Sequence, residues 1–538
     1  MTIIIIDRPI TKEEYNDVAH QLKNQYGSFI INNTDVDYKG LKEEAIEVYL
    51  DSHEKKQIHF DCIEIIKEES LKYDKIFYNV LPGFHFFQYH RFRLYYDLRK
   101  IRYITYLINK VRSKHPKATI SCYTDKLNLK YYFKSNKKNL KITFNNKKDN
   151  INSKRNYNYY AIIIMRIIYG YFSYLKNSRA IKKTKHAFID FVIRQNILSL
   201  DGEYEIKHPK LDYLFQSAKS CCAPLFINEV RMNKKKKYLF KSYYWRNNTG
   251  GKRIFGEIII FNFLLKLKNL MIVMTLYKKL GSVIREIENP KTGEGLHVYS
   301  IIKNNQKMIF FYMVRFLAYQ EFFSSHKHIS TITTTDEHGP FARSILDAAS
   351  YIGVKTIGIQ HGNINQTHPS YQYSKEEVKS GVLPDLTLVW GEAWKRILVD
   401  YGNYPGNSVK VTGQIRTDII PLLNNKKRIS SGKSLIVFAS QPQPDPDLRR
   451  RAAEDVFKAF KGKSDVQLSI KLHPNEYEDK SYYDKIATYC GNENYYYADD
   501  DDLYELISEC SALITCYSTV GTEVIYFYKP LIVLDHLK

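Results

Sequence analysis

The 538-residue chain carries 81 Lys and Arg against 57 Asp and Glu, a formal charge of +24, and 44% of its residues are hydrophobic. That apolar content excludes a disordered chain, and seven cysteines, Cys221 and Cys222 adjacent and none in a CxxC pair, exclude a disulfide scaffold, a zinc ribbon and a thioredoxin-like motif. At roughly 150 residues per domain the length implies two to four domains, and the basic excess implies an anionic partner: nucleic acid, phospholipid headgroups or a phosphorylated substrate.

Met1 and Thr2 lead into the apolar run 3–6 and then Asp7-Arg8-Pro9. With no basic n-region and no long apolar stretch, this reads as a buried first strand, not a signal peptide. Residues 12–24 read as a polar helix and 28–32 as a second strand. Residues 75–80 and 119–123 continue the strand series, with a long Tyr- and Arg-rich helix over 84–111 between them. Short apolar runs separated by helical lengths signal a parallel sheet. Residues 136–158, rich in Asn and Lys without apolar periodicity, read as a surface loop. The region 159–325 reads as mostly helical and irregular, with Lys234–Lys237 as a solvated basic face. Three greasy stretches, 159–174, 258–277 and 308–323, are broken by Arg166, by Lys266 and Lys268, and by Arg315 and Gln320. A spanning helix needs about 20 predominantly apolar residues, so buried helices are expected. The alternative is that one lies in a membrane interface, since Lys, Arg and Tyr flank all three.

From residue 328 the pattern changes. Strands are predicted at 328–335, 355–359, 386–390, 408–412, 434–439, 467–472, 512–515 and 530–534, with helices or turns between them. This is a doubly wound α/β pattern, in which ligands sit outside the carboxyl ends of the strands. The chemically suggestive clusters fall at such ends. Asp336-Glu337-His338-Gly339 sets two carboxylates and an imidazole beside a glycine. The pair suits a general base, a sugar-hydroxyl contact or a metal, and Asp336 equally suits a helix N-cap. Gln360-His361-Gly362 holds an imidazole, with a free pKa near ~6.5, on rigid backbone where it can take a proton from an acceptor hydroxyl, or bond within the sheet edge. In Lys471-Leu472-His473-Pro474 the proline keeps His473 extended, so that the ring projects toward a leaving phosphate. His-Pro pairs at 115, 208 and 368 lack a preceding strand of that kind. In the run Tyr517-Ser518-Thr519-Val520-Gly521-Thr522-Glu523, hydroxyls and amides at a helix start cradle phosphate and Glu523 reaches a ribose diol; an ordinary capping box has the same residues.

Taken in order, Gln360-His361-Gly362, Gly413-Gln414-Ile415-Arg416-Thr417-Asp418, Lys471-Leu472-His473-Pro474, Tyr517-Ser518-Thr519 and Lys529-Pro530-Leu531-Ile532 resemble the nucleotide-binding half of GT-B-fold transferases of cell-surface polymer synthesis. The resemblance is to the CDP-glycerol glycerophosphotransferase (teichoic acid polymerase) family and the related capsule-type glycosyltransferases. There a Trp-His-Gly segment carries a catalytic His, which corresponds to His361. Its Gly-x-Pro-Arg-x-Asp segment corresponds to residues 413–418, its His-Pro to His473-Pro474 and its Tyr-Ser-Ser to residues 517–519. Asp336-Glu337-His338-Gly339 is similar to the acidic segment that holds the base in transferases using CMP-Kdo or CMP-sialic acid. Gln360 replaces the family's Trp and Ile415 its Pro. The Ser-Thr-Val-Gly-Thr-Glu run is similar to that of UDP-N-acetylglucosamine 2-epimerases, where a Glu grips the ribose. The resemblance covers about 328–538, and in this fold closing helices usually follow the last strand, whereas the sequence stops at Lys538.

The resemblance implies a GT-B-like α/β fold, with two Rossmann-like doubly wound domains facing a central cleft. Residues 1–378 would form the acceptor side, with a mostly helical insertion at about 136–327, and 379–538 the nucleotide-donor domain. It implies a metal-independent glycosyltransferase, without cofactor, that moves a sugar from a nucleotide-sugar donor to a cell-surface glycan, a lipid-linked glycan or another anionic acceptor. CDP-glycerol transfer and epimerase-like chemistry are the enzymatic rivals. His361, or Asp336 with Glu337, would deprotonate the acceptor; His473 and Arg416 would neutralise the leaving nucleotide. Ser518, Thr519 and Thr522 would hold phosphate and Glu523 the ribose, with Gln360, Gly362, Lys471 and Pro474 completing the donor site. Most of the basic excess precedes residue 328, which points to an anionic acceptor or membrane face on the amino-terminal half. A cytoplasmic protein, peripheral on the inner face of the membrane, is therefore expected. Scattered basic residues without an RRM, KH, helix-turn-helix or zinc-finger signature speak against the rival of a nucleic-acid-binding protein.

Overall fold

Runs of three to six mostly apolar residues, too short to hold an isolated helix, pair side by side throughout this chain. The computed structural model describes residues 1–34, 36, 38–125, 140–144, 157–191, 195–198, 200, 202–207, 214, 225–229, 252–287, 293–424, 432–442, 446–473, 476, 479–498 and 502–535. Strands β1 (Thr2–Ile6), β2 (Phe29–Asn32), β3 (Thr119–Thr124) and β4 (Leu140–Phe144) build a first sheet in the order β2-β1-β3-β4. Next come β5 (His186–Phe191), the antiparallel hairpin β6 (Gln195–Leu198) and β7 (Tyr204–Lys207), then β8 (Leu225–Glu229) and β9 (Lys252–Phe255). With β10 (Thr331–Thr334), β11 (Lys355–Ile359), β12 (Leu386–Val389) and β13 (Val409–Val411) they make a second, seven-stranded sheet, β13-β12-β11-β10-β5-β8-β9. Strands β14 (Ser434–Ala439), β15 (Val466–Lys471), β16 (Tyr495–Tyr497), β17 (Ala512–Thr515) and β18 (Leu531–Val533) form a third, β16-β15-β14-β17-β18. All neighbours within these three sheets are parallel.

The doubly wound α/β class read from the sequence is the class observed. The division of the chain differs. Strands on either side of residue 378 pair with each other, Ile357 opposite Leu386 and Ile359 opposite Leu388, so the change of sheet falls between Val411 and Ser434. Within 136–327, expected as a helical insertion, the chain adds β4 to the first sheet and β5, β8 and β9 to the second. Residues 75–80, expected as a strand, are the end of helix Ser52–Val80; Tyr73, Phe77 and Val80 are buried at i, i+4, i+7, which is one helix face. The helix expected at 84–111 is Arg91–Lys114, entered through the 3-10 turn Phe86–Tyr89. The runs Lys234–Lys237 and Cys221-Cys222 lie outside the described residues.

The largest core lies on one face of the second sheet, where helix Gln306–Ser325 packs on helix Pro340–Ile352 and buries Phe316, Tyr319, Ile345 and Ala349. Proline at its first turn and the left-handed Gly353 after its last set the limits of that second helix. Helix Arg91–Lys114 is pinned to the same sheet by Arg91. Its guanidinium, 2% exposed, pairs with Glu377 at 2.6 Å and donates to the carbonyls of Pro369 (2.8 Å) and Gln372. In each sheet the chain works outward on one side and then returns to work outward on the other. The return falls between β1 and β3, between β5 and β10, and between β14 and β17. Those are the places where a parallel sheet opens a crevice at its carboxyl edge.

Candidate functional site

The crevice of the second sheet begins where β10 ends. Asp336 is spent locally, its Oδ1 accepting from the Gly339 backbone N–H at 3.1 Å, so it closes the turn into the following helix. Glu337 is different. It is 1% exposed and paired with His338, whose Nε2 stands 3.4 Å from Oε1, and among the described residues neither carboxylate oxygen accepts a well-formed hydrogen bond. Burial pushes its pKa up, but the imidazoles of His338 and His361 outweigh burial and hold it below the ordinary carboxylate value. Its carboxylate packs over Gly358 of β11, where a Cβ would come within 3.3 Å of it. The His338 ring meets Tyr371 edge-on at 4.5 Å, and Tyr371 in turn meets His368 at 4.9 Å. Burial lowers the His368 pKa to about 4, and its Nδ1 accepts from the Ser370 N–H. A small cavity walled by Arg91, Arg343, Ser370 and Tyr373 opens onto Glu337 and His338.

After β11 the chain runs through Gln360, His361 and Gly362. Both ends of the Gln360 amide are consumed inside the fold: Oε1 accepts from Trp390 N (2.8 Å) and Nε2 donates to Gly362 O (3.0 Å). Gln360, expected in the donor site, is therefore a brace between the loops after β11 and β12, while His361 is partly exposed with its Nδ1 buried.

The third sheet supplies the opposite wall. Its crevice lies between β14 and β17, and the Tyr517 hydroxyl bridges it by donating to Pro442 O at 3.0 Å. Ser518, Thr519 and Thr522 are partly exposed there. Helix Val520–Tyr526 is only seven residues long, so hydroxyls rather than a helix dipole supply the polarity. Glu523, buried, accepts on Oε1 from Gln414 Nε2 (2.6 Å) and from the Tyr504 hydroxyl (3.1 Å). Arg416 pairs with Asp502 at 2.7 Å and lies 4.1 Å over the Tyr504 ring. Lys471 Nζ donates to Ala498 O at 2.6 Å.

His473 is positioned by its backbone N–H, which donates to Ser440 Oγ (3.0 Å), and Ser440 donates to Glu476 (2.6 Å). Glu476, 1% exposed, also pairs with Arg449 at 2.8 Å and accepts from Tyr483. Burial lowers the His473 pKa, so the ring is neutral at pH 7 and offers a hydrogen bond rather than a charge. Pro474 lies outside the described residues.

The two walls meet. A Cβ on Gly362 would lie 3.9 Å from Thr519 Cγ2, which sets the loop after β11 against the loop after β17. Burial raises the Tyr517 pKa, and Tyr96 and Arg99 of helix Arg91–Lys114 act on it electrostatically. The sequence motifs thus converge as two groups: Glu337, His338, His361 and Gly362 on one side, and Ser518, Thr519, Thr522, Glu523 and His473 on the other. Missed from the sequence were Tyr371 and His368, Gln414 and Tyr504 under Glu523, and the Ser440–Glu476–Arg449 support of His473. His368 was set aside because no strand precedes its His-Pro pair.

No family model matches the chain. Over 132 residues it is 29% identical to an uncharacterized protein, MJ1060, of Methanocaldococcus jannaschii, a match covering 23% of this chain and 22% of that one; the chain thus spans about a fifth of that relative's length. Similar solved structures include UDP-GlcNAc 2-epimerases and a wall teichoic acid polymerase. A UDP-GlcNAc 2-epimerase from Neisseria meningitidis bound to UDP-GlcNAc has a TM-score of 0.39 and 12% identity, over 65% of this chain and 83% of that one. The Methanocaldococcus jannaschii UDP-GlcNAc 2-epimerase with UDP-GlcNAc and UDP has 0.38 and 11%, over 65% and 84%. The wall teichoic acid polymerase TagF has 0.34 and 11%, over 70% and 76%.

Proposed function

We propose that the chain is a GT-B-type glycosyltransferase that moves a sugar from a nucleotide-sugar donor to the hydroxyl of a glycan or lipid-linked acceptor. The observation that supports this reading is the juxtaposition across two sheets. A buried carboxylate, Glu337, lies with two imidazoles on one wall, and a row of hydroxyls, Ser518, Thr519 and Thr522, faces them from the other. Glycosyl transfer needs one group to take a proton from the acceptor and another to receive the departing phosphate. Two walls built from separate sheets keep those tasks on opposite sides of the reacting carbon.

In this reading His361 takes the acceptor proton and Glu337 stabilises the imidazolium that forms. The carboxylate suits that task because it is buried, ionised and already set between the imidazoles of His338 and His361. Asp336 shapes the turn. On the donor side the hydroxyls of Ser518, Thr519 and Thr522 receive phosphate, and His473 donates a hydrogen bond to the leaving oxygen. Glu523, oriented by Gln414 and Tyr504, offers its second oxygen to the ribose. Arg416, balanced by Asp502, holds the 413–418 turn against that cluster, and Lys471 anchors the strand end.

A thermal-shift panel of CMP-, UDP- and GDP-sugars with CDP-glycerol tests the donor class, since a bound ligand raises the melting temperature by mass action. A shift with CDP-glycerol alone would replace the glycosyl by a glycerophosphoryl donor. Inversion at C2 of the sugar of a nucleotide sugar, without acceptor, would indicate an epimerase. His361→Ala and His473→Ala are expected to abolish transfer with the fold intact; if both kept most of it, the assigned walls are wrong.

A further inference from the structure

Two of the three greasy stretches are helices with a dry side turned outward. On helix Leu267–Glu286 the buried positions are Asn269, Leu276, Leu280 and Ile284, and the opposite face exposes Leu267 (74%), Met271, Met274 (63%) and Tyr277. On helix Tyr157–Ile181 the exposed side chains Ile164, Ile168, Phe172 (68%) and Leu175 recur every three or four residues, while Gly170 packs inward on Ile258. Helix Gly256–Leu264 lies between them, touching both. The third stretch, in helix Gln306–Ser325, is largely buried, as the sequence led one to expect.

Among the described residues no single helix is long and apolar enough to cross a membrane. Gly256–Leu264 and Leu267–Glu286 reach the required length and composition only together, and they meet at 95°. That corner is fixed: Lys266 pairs with Glu321 at 2.7 Å, and Asn269 donates to Glu321 and to Phe263 O. A pair bent at a right angle and pinned at its corner is no straight span, and its outer helix is free to lie flat on a bilayer.

We propose that the outer faces of these two helices form a docking surface for an anionic lipid bilayer, entering the headgroup boundary edge-on. Charge decides the occupant. Neither helix carries an acidic side chain before Glu286, while Lys268, Lys278 and Arg285 stand exposed around the apolar face of Leu267–Glu286. A second copy of the chain would bring those cations face to face; anionic headgroups neutralise them. Met and Leu enter the acyl boundary, Tyr277 sits at headgroup level, and the lysines reach phosphate, which is the arrangement of an interfacial amphipathic helix.

The test is sedimentation of the full chain with vesicles of phosphatidylcholine alone or mixed with phosphatidylglycerol, without nucleotide. The chain is expected to pellet with the mixed vesicles and to be released as salt rises. Met271→Asp with Met274→Asp should cut binding at least roughly tenfold without lowering the melting temperature, because both side chains already face solvent. Lys268→Gln with Lys278→Gln, which leaves the apolar face intact, should cut it roughly fivefold per lysine. Equal binding to uncharged vesicles, binding to neither, or binding indifferent to these changes would overturn the proposal. So would a concentration-dependent dimer that the Met271/Met274 substitutions dissolve while no vesicle is bound, which would give the face to a second copy. Vesicle retention is read without donor or turnover, so its failure leaves the transferase reading standing, and the reverse holds too.

Discussion

The first and second sheets have the same kind of crevice and use it in opposite ways. Between β1 and β3 the carboxylates find partners within the fold, though Arg8 Nε is left without one. Asp7 accepts from Asn33 Nδ2 (2.9 Å) and Thr124 Oγ1 (2.6 Å), and Arg8 forks onto Glu14, whose carboxyl is held down at about 2. Beside β10 Glu337 is as deeply buried and accepts no well-formed hydrogen bond on either oxygen among the described residues. A crevice plugged by its own side chains is a packing solution; one that holds a buried carboxylate beside imidazoles, its oxygens still able to accept, keeps a charge in reserve. Topology provides three candidate crevices, and hydrogen-bond accounting tells which ones have capacity left over.

The sharpest way to break that contrast is to exchange the effects. Glu337→Gln should lower turnover by roughly 10² to 10⁴ with only a modest change in melting temperature, since the amide keeps the shape of the side chain while its imidazole partners lose a counter-charge. Asp7→Ala should do the reverse, leaving turnover alone and costing about 1–3 kcal/mol of stability for the donors it orphans. Comparable turnover losses in both would erase the distinction.

A second substitution addresses the joint between the regions. Arg91→Ala leaves Glu377 buried without its cation and should cost roughly 3–5 kcal/mol by denaturant titration. A loss near zero would mean that the first sheet and its helices dock by other contacts.

Asp74, on the helix Ser52–Val80 beside that joint, titrates in the physiological range. Burial lifts its carboxyl to about 7, though His85 and the Phe87 N–H pull it down. Its folded pKa is above the unfolded one, so the native state holds the extra proton. Stability should therefore fall as pH rises from about 4 to about 7 and level off above, by on the order of 4 kcal/mol at most. Asp74→Asn should flatten that slope, and denaturation midpoints at pH 5 and pH 8 would show whether it does. The smallest effect is expected from Gly358→Ala, which presses on the Glu337 carboxylate by a few tenths of an ångström: a turnover loss on the order of tenfold or less, with ground-state nucleotide binding unchanged.

Much of the second and third sheets was legible in the sequence. Strands 355–359, 434–439 and 512–515 were read with their observed limits, because β-branched runs there end abruptly in polar or glycine-containing segments. Residues 75–80 misled because Ile76, Phe77 and Tyr78 stand together, and a short apolar cluster does not reveal its period. Strands β5, β8 and β9 escaped because their four to six residues are interrupted by charged or polar groups such as Asp190, Asn228 and Arg253. The site motifs were visible because each is contiguous. Their supports were not: Gln414 reaches Glu523 across 109 positions, and Ser440 reaches Glu476 across 36, pairings that only the folded chain creates.

Helix Arg91–Lys114 has an electrostatic consequence. Its start is locked through Arg91 and Glu377 to the segment between β11 and β12, and two turns on, about 12 Å along its axis, Tyr96 and Arg99 act electrostatically on Tyr517 of the third sheet. A helix anchored beside one wall of the cleft thus extends its field to the other, so a change of charge at Arg99 is felt at Tyr517 without any bond between them.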